Sequence, residues 1–275
     1  MRTGLFLPIF GELADPRTVA DLATRAEEAG WDGVFVWDHV LYRPPVTEVA
    51  DPWITLAAIA TATERVRIGP IVTPLARRRP QIVARQCTSL DLLSGGRMVF
   101  GAGLGLDSSG GELSRFGEEL DDRRRAAMLD EALGLLDVLW SGDEVHHTGE
   151  HYRADGVRFL PRPVQRPRIP VWLAGRYPNR APMRRAARFE GAFPIGLDSA
   201  DQLAEMIEIL RTERGEAGLE GFDVVVEGSD GSDPAPFAAA GATWWLAEFD
   251  AFTVDAATVR GVIDAGPPVN SSTGA

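Results

Sequence analysis

Residues 26–39 read AEEAGWDGVFVWDH and combine a helix end, a buried strand and two polar side chains. Gly30 lies where a helix C-cap belongs, because glycine adopts the left-handed conformation without steric cost. The continuous apolar run at 34–37 predicts a strand that is covered on both faces. Asp38 and His39 follow directly. Since ligands of parallel α/β proteins bind at the carboxyl ends of the strands, His39 is the first candidate functional residue.

The amino-acid composition limits the classes of binding partner and the cellular compartment that we expect. The 275 residues carry 28 basic side chains, all of them arginine, against 40 acidic ones, for a net charge of −12. This charge disfavours nucleic acid and anionic membranes as partners. The single cysteine, Cys87, cannot form an internal disulfide, and the N-terminus lacks a signal-peptide pattern, so we expect a cytoplasmic protein. No apolar run approaches the length of a membrane span.

Strand and helix patterns alternate along the chain. Asp15-Pro16 and Asp51-Pro52 each predict a helix start, with aspartate as N-cap and proline at the first helical position. The glycine- and serine-rich loop at 103–111 precedes a predicted helix at 122–140. The predicted strands are residues 5–9, 34–37, 66–72, 98–102, 171–174, 192–195, 222–226 and 243–247. Trp244 and Trp245 alternate on the last of these, so one is expected inside the sheet and the other against the helices.

Eight strands that alternate with helices predict a (β/α)8 TIM barrel of the α/β class, in a single domain over residues 1–266. A small insertion at 141–170, with a hairpin at 144–152, separates the fourth helix from the fifth strand. Residues 267–275 are small and polar and are expected to be a flexible tail. A doubly wound open sheet is the alternative, but the even spacing and the absence of a linker favour the barrel.

Three motifs are candidates for ligand binding. A neutral imidazole at His39 has the chemistry to donate to a ligand or to shuttle a proton. The glycines of 101–105 lack the helix that a dinucleotide fingerprint requires. They indicate either close approach of a flat ligand to the backbone or a flexible loop. The turn at 175–180 offers backbone N–H groups, Arg176 and Arg180 to a phosphate. The three adjacent arginines Arg77-Arg78-Arg79 indicate either a solvated loop or a second anion site. Of the two candidate anion sites, the 175–180 turn is the more convincing.

Two further sets of polar residues carry weaker predictions. The histidines of the insertion match no zinc spacing and are expected at the surface, so no metal ligand is assigned. Several carboxylates fall near strand ends, a pattern typical of a magnesium or glycosidase site or of a solvated barrel rim; because no pair is singled out, we expect the rim. The histidines are His146, His147 and His151, and the carboxylates are Glu12, Asp38, Asp107, Asp198, Glu227 and Glu248.

A series of ordered motifs resembles the bacterial luciferase-like superfamily of flavin- and deazaflavin-dependent oxidoreductases. Together these motifs cover roughly the first two-thirds of the chain. They are GLFLP at 4–8, AEEAGWDGVFVWDH at 26–39, TERVRIG at 63–69, LDLLSGGR at 90–97, GAG at 101–103, Arg125 with Glu131, the proline-rich segment around Gln165, and VWLAG at 171–175.

The resemblance implies a TIM barrel that binds FMN or the deazaflavin F420 at the carboxyl ends of its strands. The ring is expected near Val72 and Thr73, where the family has a bulge or a cis peptide, and against the backbone at Gly103. His39 is expected beside the ring. The cofactor phosphate is expected at the 175–180 turn, with Gly175, Arg176, Tyr177 and Arg180. The loop at 103–111 lacks the aromatic residue that many relatives have there, and the last third of the chain is short for the family.

The predicted function is hydride transfer between a reduced or oxidised cofactor and a small organic substrate. F420 is favoured because the short chain resembles that branch, and FMN, which would make the reaction a monooxygenation, is the alternative. A non-catalytic flavin- or F420-binding barrel and a metal-dependent lyase or hydrolase are the other hypotheses. Relatives are commonly dimers, so a homodimer is expected.

Overall fold

Nine parallel strands form the central sheet of this computed structural model, which describes residues 1–229 and 231–268. The strands of the described chain are β1 (Arg2–Leu7), β2 (Gly33–Val36), β3 (Arg67–Pro70), β4 (Thr73–Pro74), β5 (Phe100–Gly103), β6 (Glu144–Thr148), β7 (Arg153–Arg158), β8 (Val171–Arg176), β9 (Gly191–Ile195), β10 (Asp223–Ser229) and β11 (Trp244–Glu248). The order in the sheet is β3-β2-β1-β11-β10-β9-β8-β5-β4.

The sheet closes into a barrel. A parallel bridge between Ile68 and Met98 joins β3 to the residues just before β5, so the two ends of the sheet meet. Strands β3 and β4 flank the cis peptide bond Ile71–Val72 and together occupy one position in the barrel. The barrel therefore has eight positions, as predicted, and the expected bulge or cis peptide is present at this point.

Helices cover the outside of the barrel. The described helices are α1 (Pro16–Glu28), α2 (Pro52–Ala62), α3 (Pro80–Leu93), α4 (Asp122–Ser141), α5 (Arg180–Ala186), α6 (Ala200–Arg214), α7 (Ala235–Ala240) and α8 (Ala256–Ala265). The Asp15 carboxylate accepts a hydrogen bond from Arg17 N, and the Asp51 carboxylate accepts one from Ile54 N. Both predicted N-caps are thus confirmed. No described helix is long and apolar enough to cross a membrane.

The structure corrects several predicted boundaries. The first strand is β1 rather than residues 5–9, because the buried run begins at Thr3 and Pro8 has no N–H to continue the ladder. The predicted strand at 66–72 is broken at Ile71–Val72. Helix α7 was not predicted, since its short, alanine-rich sequence has no clear apolar stripe. Of the predicted tail at 267–275, residues 269–275 lie outside the described part of the chain.

The insertion contains the predicted hairpin, but it is longer than 144–152. Strands β6 and β7 pair antiparallel, with a bulge between Val145 and His147. The segment after the hairpin is held to α3 by Asp91, whose buried carboxylate accepts from Val164 N at 2.6 Å and from Gln165 Nε2 at 2.7 Å. The insertion is therefore attached to the side of the barrel.

Indole rings fill the amino-terminal end of the barrel interior. Trp172 and Trp244 are completely buried, and their Nε1 atoms donate to Asp223 at 3.2 and 3.1 Å. Trp245, the next residue on β11, packs with the residues that lie between the sheet and the helices. One tryptophan thus faces the interior and the other faces the helices, as predicted. This closed end leaves the carboxyl end as the open mouth of the barrel.

Candidate active site at the carboxyl end of the barrel

His39 lies at the mouth of the barrel and is oriented by a carboxylate. Its Nδ1 is 3.1 Å from Glu112 Oε1, and 18% of its side chain is exposed. Because an ionised carboxylate only accepts hydrogen bonds, Nδ1 carries the proton and donates it. Nε2, at the opposite side of the ring, is then the atom that accepts or releases a proton.

Glu112 is held in its ionised form. Burial raises the pKa of this carboxyl, but the hydrogen bond and charge of His39, the charge of Arg77 and the Val40 N–H together outweigh burial and leave the pKa below its usual value. Val40 N donates to Oε2 at 3.2 Å, and Arg77 Nη1 pairs with the same oxygen. Glu112 is therefore a fixed acceptor for His39 at neutral pH.

Arg77 links Glu112 to a second buried carboxylate, Asp38. Arg77 Nη2 and Arg78 Nη2 lie 3.0 and 2.6 Å from Asp38 Oδ1, and Thr73 Oγ1 donates to Oδ2 at 2.8 Å. The Asp38 and Glu112 side chains are 0% and 1% exposed, and Arg77 is 5% exposed. We call these five side chains the ion-pair network.

The ion-pair network revises two predictions. Arg77 and Arg78 do not form a solvated loop, since they bind protein carboxylates, and only Arg79 of the three is exposed. Asp38 is not on a solvated rim, because it is 2% exposed. Glu112 was missed altogether. Nothing in its local sequence distinguishes it, and only the fold brings it to His39, 73 residues away.

A floor of small side chains lies inside the mouth. Val72 and Ala174 pack among the interior residues, and a Cβ at Gly103 would lie 2.7 Å from Val72 Cγ2 and 3.6 Å from Ala174 Cβ. The absence of a side chain at the buried Gly103 thus leaves room for Val72. Val72 and Ala174 are partly exposed, and their small apolar side chains suit a planar ring. The structure brings the predicted Val72, Gly103 and His39 to the same end of the barrel, whereas the Thr73 hydroxyl is occupied by Asp38.

The mouth also contains a buried hydrogen-bond donor without an acceptor. Trp37 Nε1 is buried and has no partner among the described residues. The Trp37 ring lies 5.8 Å from the His39 ring and packs with the interior residues. Since a buried donor is costly to leave unpaired, this N–H fits a ligand that carries ring nitrogen or carbonyl acceptors, as flavins and deazaflavins do.

Two carboxyl groups lie on the opposite side of the mouth. Alternate residues of a strand face the same side of the sheet. On β10, Glu227 therefore faces the barrel interior with Asp223 and Val225. On β11, Glu248 faces the interior with Trp244 and Leu246. Burial raises the pKa of Glu227 to about 8, the charge of Glu248 adds to the rise, and Arg176 and the Gly196 N–H offset it only partly. Burial, followed by the charge of Asp250, raises the pKa of Glu248 as well.

The residues of the predicted phosphate site at 175–180 lie in two different places, some at the mouth of the barrel and some in a groove against α6. Gly175 permits close packing of α5, since a Cβ there would lie 2.4 Å from Pro182 Cβ. Arg176 reaches over Gly196 towards Glu227, at the mouth. Tyr177 OH instead donates to Glu205 Oε2 at 3.0 Å, and Tyr177 and Arg180 line a groove against α6. Only Arg176 of these residues approaches the interior carboxyl groups.

The remaining candidates take structural positions. The histidines lie on the hairpin, as expected, with His146 exposed between Glu144 and Asp155, and His147 hydrogen-bonded to Glu131. Within residues 1–229 and 231–268, no three His, Cys, Asp or Glu side chains are grouped so that they could hold a metal ion. Asp107 accepts from the backbone of Leu113 and Ser114, and Glu12 accepts from Ala256 N.

A sequence model of the family described as luciferase-like monooxygenase matches residues 1–230 of this chain. The chain belongs to the luciferase-like monooxygenase family. It is 32% identical to the F420-dependent glucose-6-phosphate dehydrogenase of Gordonia bronchialis over 231 residues, which cover 82% of this chain and 67% of that protein. It is 35% identical to the enzyme of the same description from Amycolatopsis mediterranei over 164 residues, or 58% of this chain and 47% of that one. The chain thus spans about half to two thirds of these relatives.

Solved structures of the luciferase-like family share the barrel. An F420-dependent secondary alcohol dehydrogenase in complex with an F420–acetone adduct aligns with a TM-score of 0.73 and 22% identity, over 83% of this chain and 68% of that chain. A monooxygenase from Streptomyces bottropensis aligns with a TM-score of 0.70 and 26% identity, over 82% and 70% of the two chains. The first likeness, at this identity, shows the fold alone.

Proposed function

We propose that this protein is an oxidoreductase that uses F420 for hydride transfer to or from a small organic substrate. The observation that carries the proposal is the His39–Glu112 pair beside the small-residue floor and the unpaired Trp37 donor. The similarity to F420-dependent dehydrogenases at 32 and 35% identity supports F420 as the cofactor.

Under this proposal, some residues of the mouth bind the cofactor and another transfers a proton. Val72, Gly103 and Ala174 would support the cofactor ring, and Trp37 Nε1 would donate to one of its acceptor atoms. F420, when bound, supplies the carbon that accepts or gives up the hydride. His39 Nε2 would remove the hydroxyl proton of an alcohol during oxidation, or return a proton to a carbonyl oxygen during reduction. Arg176, with Tyr177 and Arg180 further out, remains the proposed group for the cofactor phosphate.

FMN is the second candidate cofactor. The family description and the likeness at 26% identity to a monooxygenase favour it. With FMN, the reaction would be a monooxygenation, and oxygen would be consumed.

Titration with the two cofactors tests the proposal, and the variant His39→Ala assigns the role of the histidine. We expect F420 to bind more tightly than FMN, as followed by fluorescence, in both the wild type and the variant. Turnover, followed at the F420 absorbance with a panel of alcohols and ketones, should fall about 100-fold or more in His39→Ala, because a positioned general base contributes about that much.

The exposed hairpin histidine provides the matched control: His146→Ala should retain wild-type turnover. Binding of neither cofactor below roughly millimolar concentration would refute the proposed function. Unchanged turnover in His39→Ala would remove His39 from the mechanism.

We also propose that residues 1–266 act as one unit and that the protein is a cytoplasmic homodimer. The pairing of β11 with β1 supports the first point, because the barrel cannot be divided without opening it.

Exposed apolar side chains on the neighbouring helices α2 and α3 support the dimer. Ile54 is 63% exposed and Ile82 is 54% exposed. Sedimentation at micromolar concentration should give twice the chain mass of 29.8 kDa, and Ile82→Arg should shift it towards the monomer. A wild-type monomer would disprove the dimer.

A further inference from the structure

Arg176 and Glu227 approach each other at the mouth without forming an ion pair. The charge of Arg176 acts on Glu227, and Arg176 Nη1 lies 2.8 Å from the position that a Cβ would take at Gly196. Within residues 1–229 and 231–268, however, the Arg176 guanidinium makes no salt bridge and no hydrogen bond. Its N–H groups are therefore available to a ligand at this point of the mouth.

Glu227 is a hydrogen-bond donor rather than an anion at neutral pH. Two charged groups act on it, Glu248 from β11 and Arg176 from β8, while the turn after β9 contributes the Gly196 N–H. Because burial and the charge of Glu248 raise the pKa of Glu227 to about 8, the carboxyl keeps its proton at pH 7. A neutral carboxyl accepts with one oxygen and donates with the other. The Gly196 N–H binds the accepting oxygen, so the O–H is left to donate to a ligand.

Few other cations in the described structure serve the mouth. Arg77 and Arg78 are bound by carboxylates of the ion-pair network, and Arg43 stacks over two aromatic rings at 5.0 and 5.6 Å. The sequence contains no lysine. A phosphate at the mouth therefore has Arg176 as its main cationic partner. A single guanidinium leaves other phosphate oxygens without a donor, and a neutral acid beside it supplies one.

We infer that Glu227 is a phosphate-binding residue that acts as a neutral carboxylic acid: its O–H donates to an oxygen of the cofactor phosphate that Arg176 holds. The inference rests on the proposed function, including the placement of the phosphate at Arg176. It accounts for a carboxyl group beside an anion site, since a neutral acid attracts the phosphate that an ionised one would repel.

Binding of the phosphate then depends on the proton of Glu227. Above the pKa of about 8, the carboxylate loses its donor and repels the anion. A ligand that binds only the neutral form has its affinity reduced by the fraction of the protein in that form. This fraction is about nine tenths at pH 7 and about one tenth at pH 9, so Kd should rise about 10-fold between them.

Ligands with and without a phosphate test this dependence. F420 is compared with its deazaflavin riboside, which lacks the phosphate and everything beyond it, and FMN is compared with riboflavin, which differs only in the phosphate. Titration of the ring is common to both members of each pair. Fluorescence titrations at pH 7 and pH 9 should show the 10-fold rise in Kd, of about that size, for F420 and FMN alone. At pH 8, calorimetry in two buffers of different ionisation enthalpy should show an excess uptake of about half a proton by the phosphate-bearing ligand.

Two variants assign the effect to Glu227. Glu227→Gln keeps a donor and has no charge to gain, so it should bind F420 within about 3-fold of the wild type at pH 7 and lose the difference between pH 7 and pH 9. Glu227→Leu fills the space without a donor, and it should weaken F420 about 10-fold and leave the riboside unchanged. The exposed Glu220 provides the control, since Glu220→Gln should keep the wild-type pH dependence.

The outcomes separate the role of Glu227 from the identity of the cofactor. Equal F420 binding at pH 7 and pH 9, or equal weakening of F420 and its riboside in Glu227→Leu, would overturn the role of Glu227 and leave the cofactor assignment in place. If F420 does not bind but FMN does, the FMN–riboflavin pair gives the same decision. Failure of both cofactors to bind would overturn the proposed function and the role of Glu227 together.

Discussion

Replacing Arg77 with methionine is expected to lower the free energy of unfolding by about 3–5 kcal/mol. Arg77 is the only side chain in the described structure that pairs with both Asp38 and Glu112, and both carboxylates are almost fully buried. Without the guanidinium, Glu112 retains only His39 and the Val40 N–H, and Asp38 retains Arg78 and Thr73. A methionine of similar length fills the space but leaves buried negative charge uncompensated.

The neighbouring residue supplies the control for this prediction. Arg79 is exposed and makes no side-chain cap contact at the start of α3, so Arg79→Met should change stability by less than about 0.5 kcal/mol. Urea unfolding of the two variants and the wild type at pH 7 measures both effects. Equal stability of Arg77→Met and Arg79→Met would show that the ion-pair network does not stabilise the fold.

Glu227 is expected to lower the stability of the wild type as the pH rises from 5 to 8. Replacing Glu227 with glutamine should remove most of this loss. Burial and the charge of Glu248 raise the pKa of Glu227 to about 8 in the folded protein, against an ordinary value of 4.5. The folded state therefore keeps a proton that the unfolded state has released across this range. The stability that Glu227 contributes is therefore greatest at acid pH, and it falls by on the order of 3 kcal/mol as the pH rises from 5 to 8.

Glutamine is neutral at every pH and carries no such penalty. Glu227→Gln should therefore match the wild type near pH 5 and exceed it near pH 8.5. Glu220, which is exposed in the turn before β10, provides the control, and Glu220→Gln should follow the wild-type profile. Thermal unfolding across this pH range measures the difference. Parallel profiles for the wild type and Glu227→Gln would contradict a raised pKa at Glu227.

Local signals explain which parts of the fold were predictable. The Asp15 and Asp51 caps act within their own helix turns, so the sequence reveals them directly. The alternation of Trp244 and Trp245 follows from strand geometry alone. The break at Ile71–Val72 was not inferred from the pattern, because residues 66–72 (VRIGPIV) are mostly apolar and predict one continuous strand.

The candidate site was predictable only where it depends on strand ends. His39 follows a buried strand, and the carboxyl ends of parallel strands meet at one edge, so its position could be inferred. Glu112 could not be inferred, since its contact with His39 depends on how the loop after β5 folds over the mouth. The pairing of Arg77 and Arg78 with Asp38 was equally hidden, because three consecutive arginines are typical of solvated loops.

The filled amino-terminal end of the barrel determines the route by which ligands enter and leave. Because Trp172, Trp244 and Asp223 close the amino-terminal end, ligands enter and leave by the same opening. Two molecules that share such a passage cannot exchange independently: the one that reaches deeper must arrive first and depart last. For the proposed cofactor and substrate we therefore expect ordered binding and release, with the ligand on the small-residue floor as the first to enter.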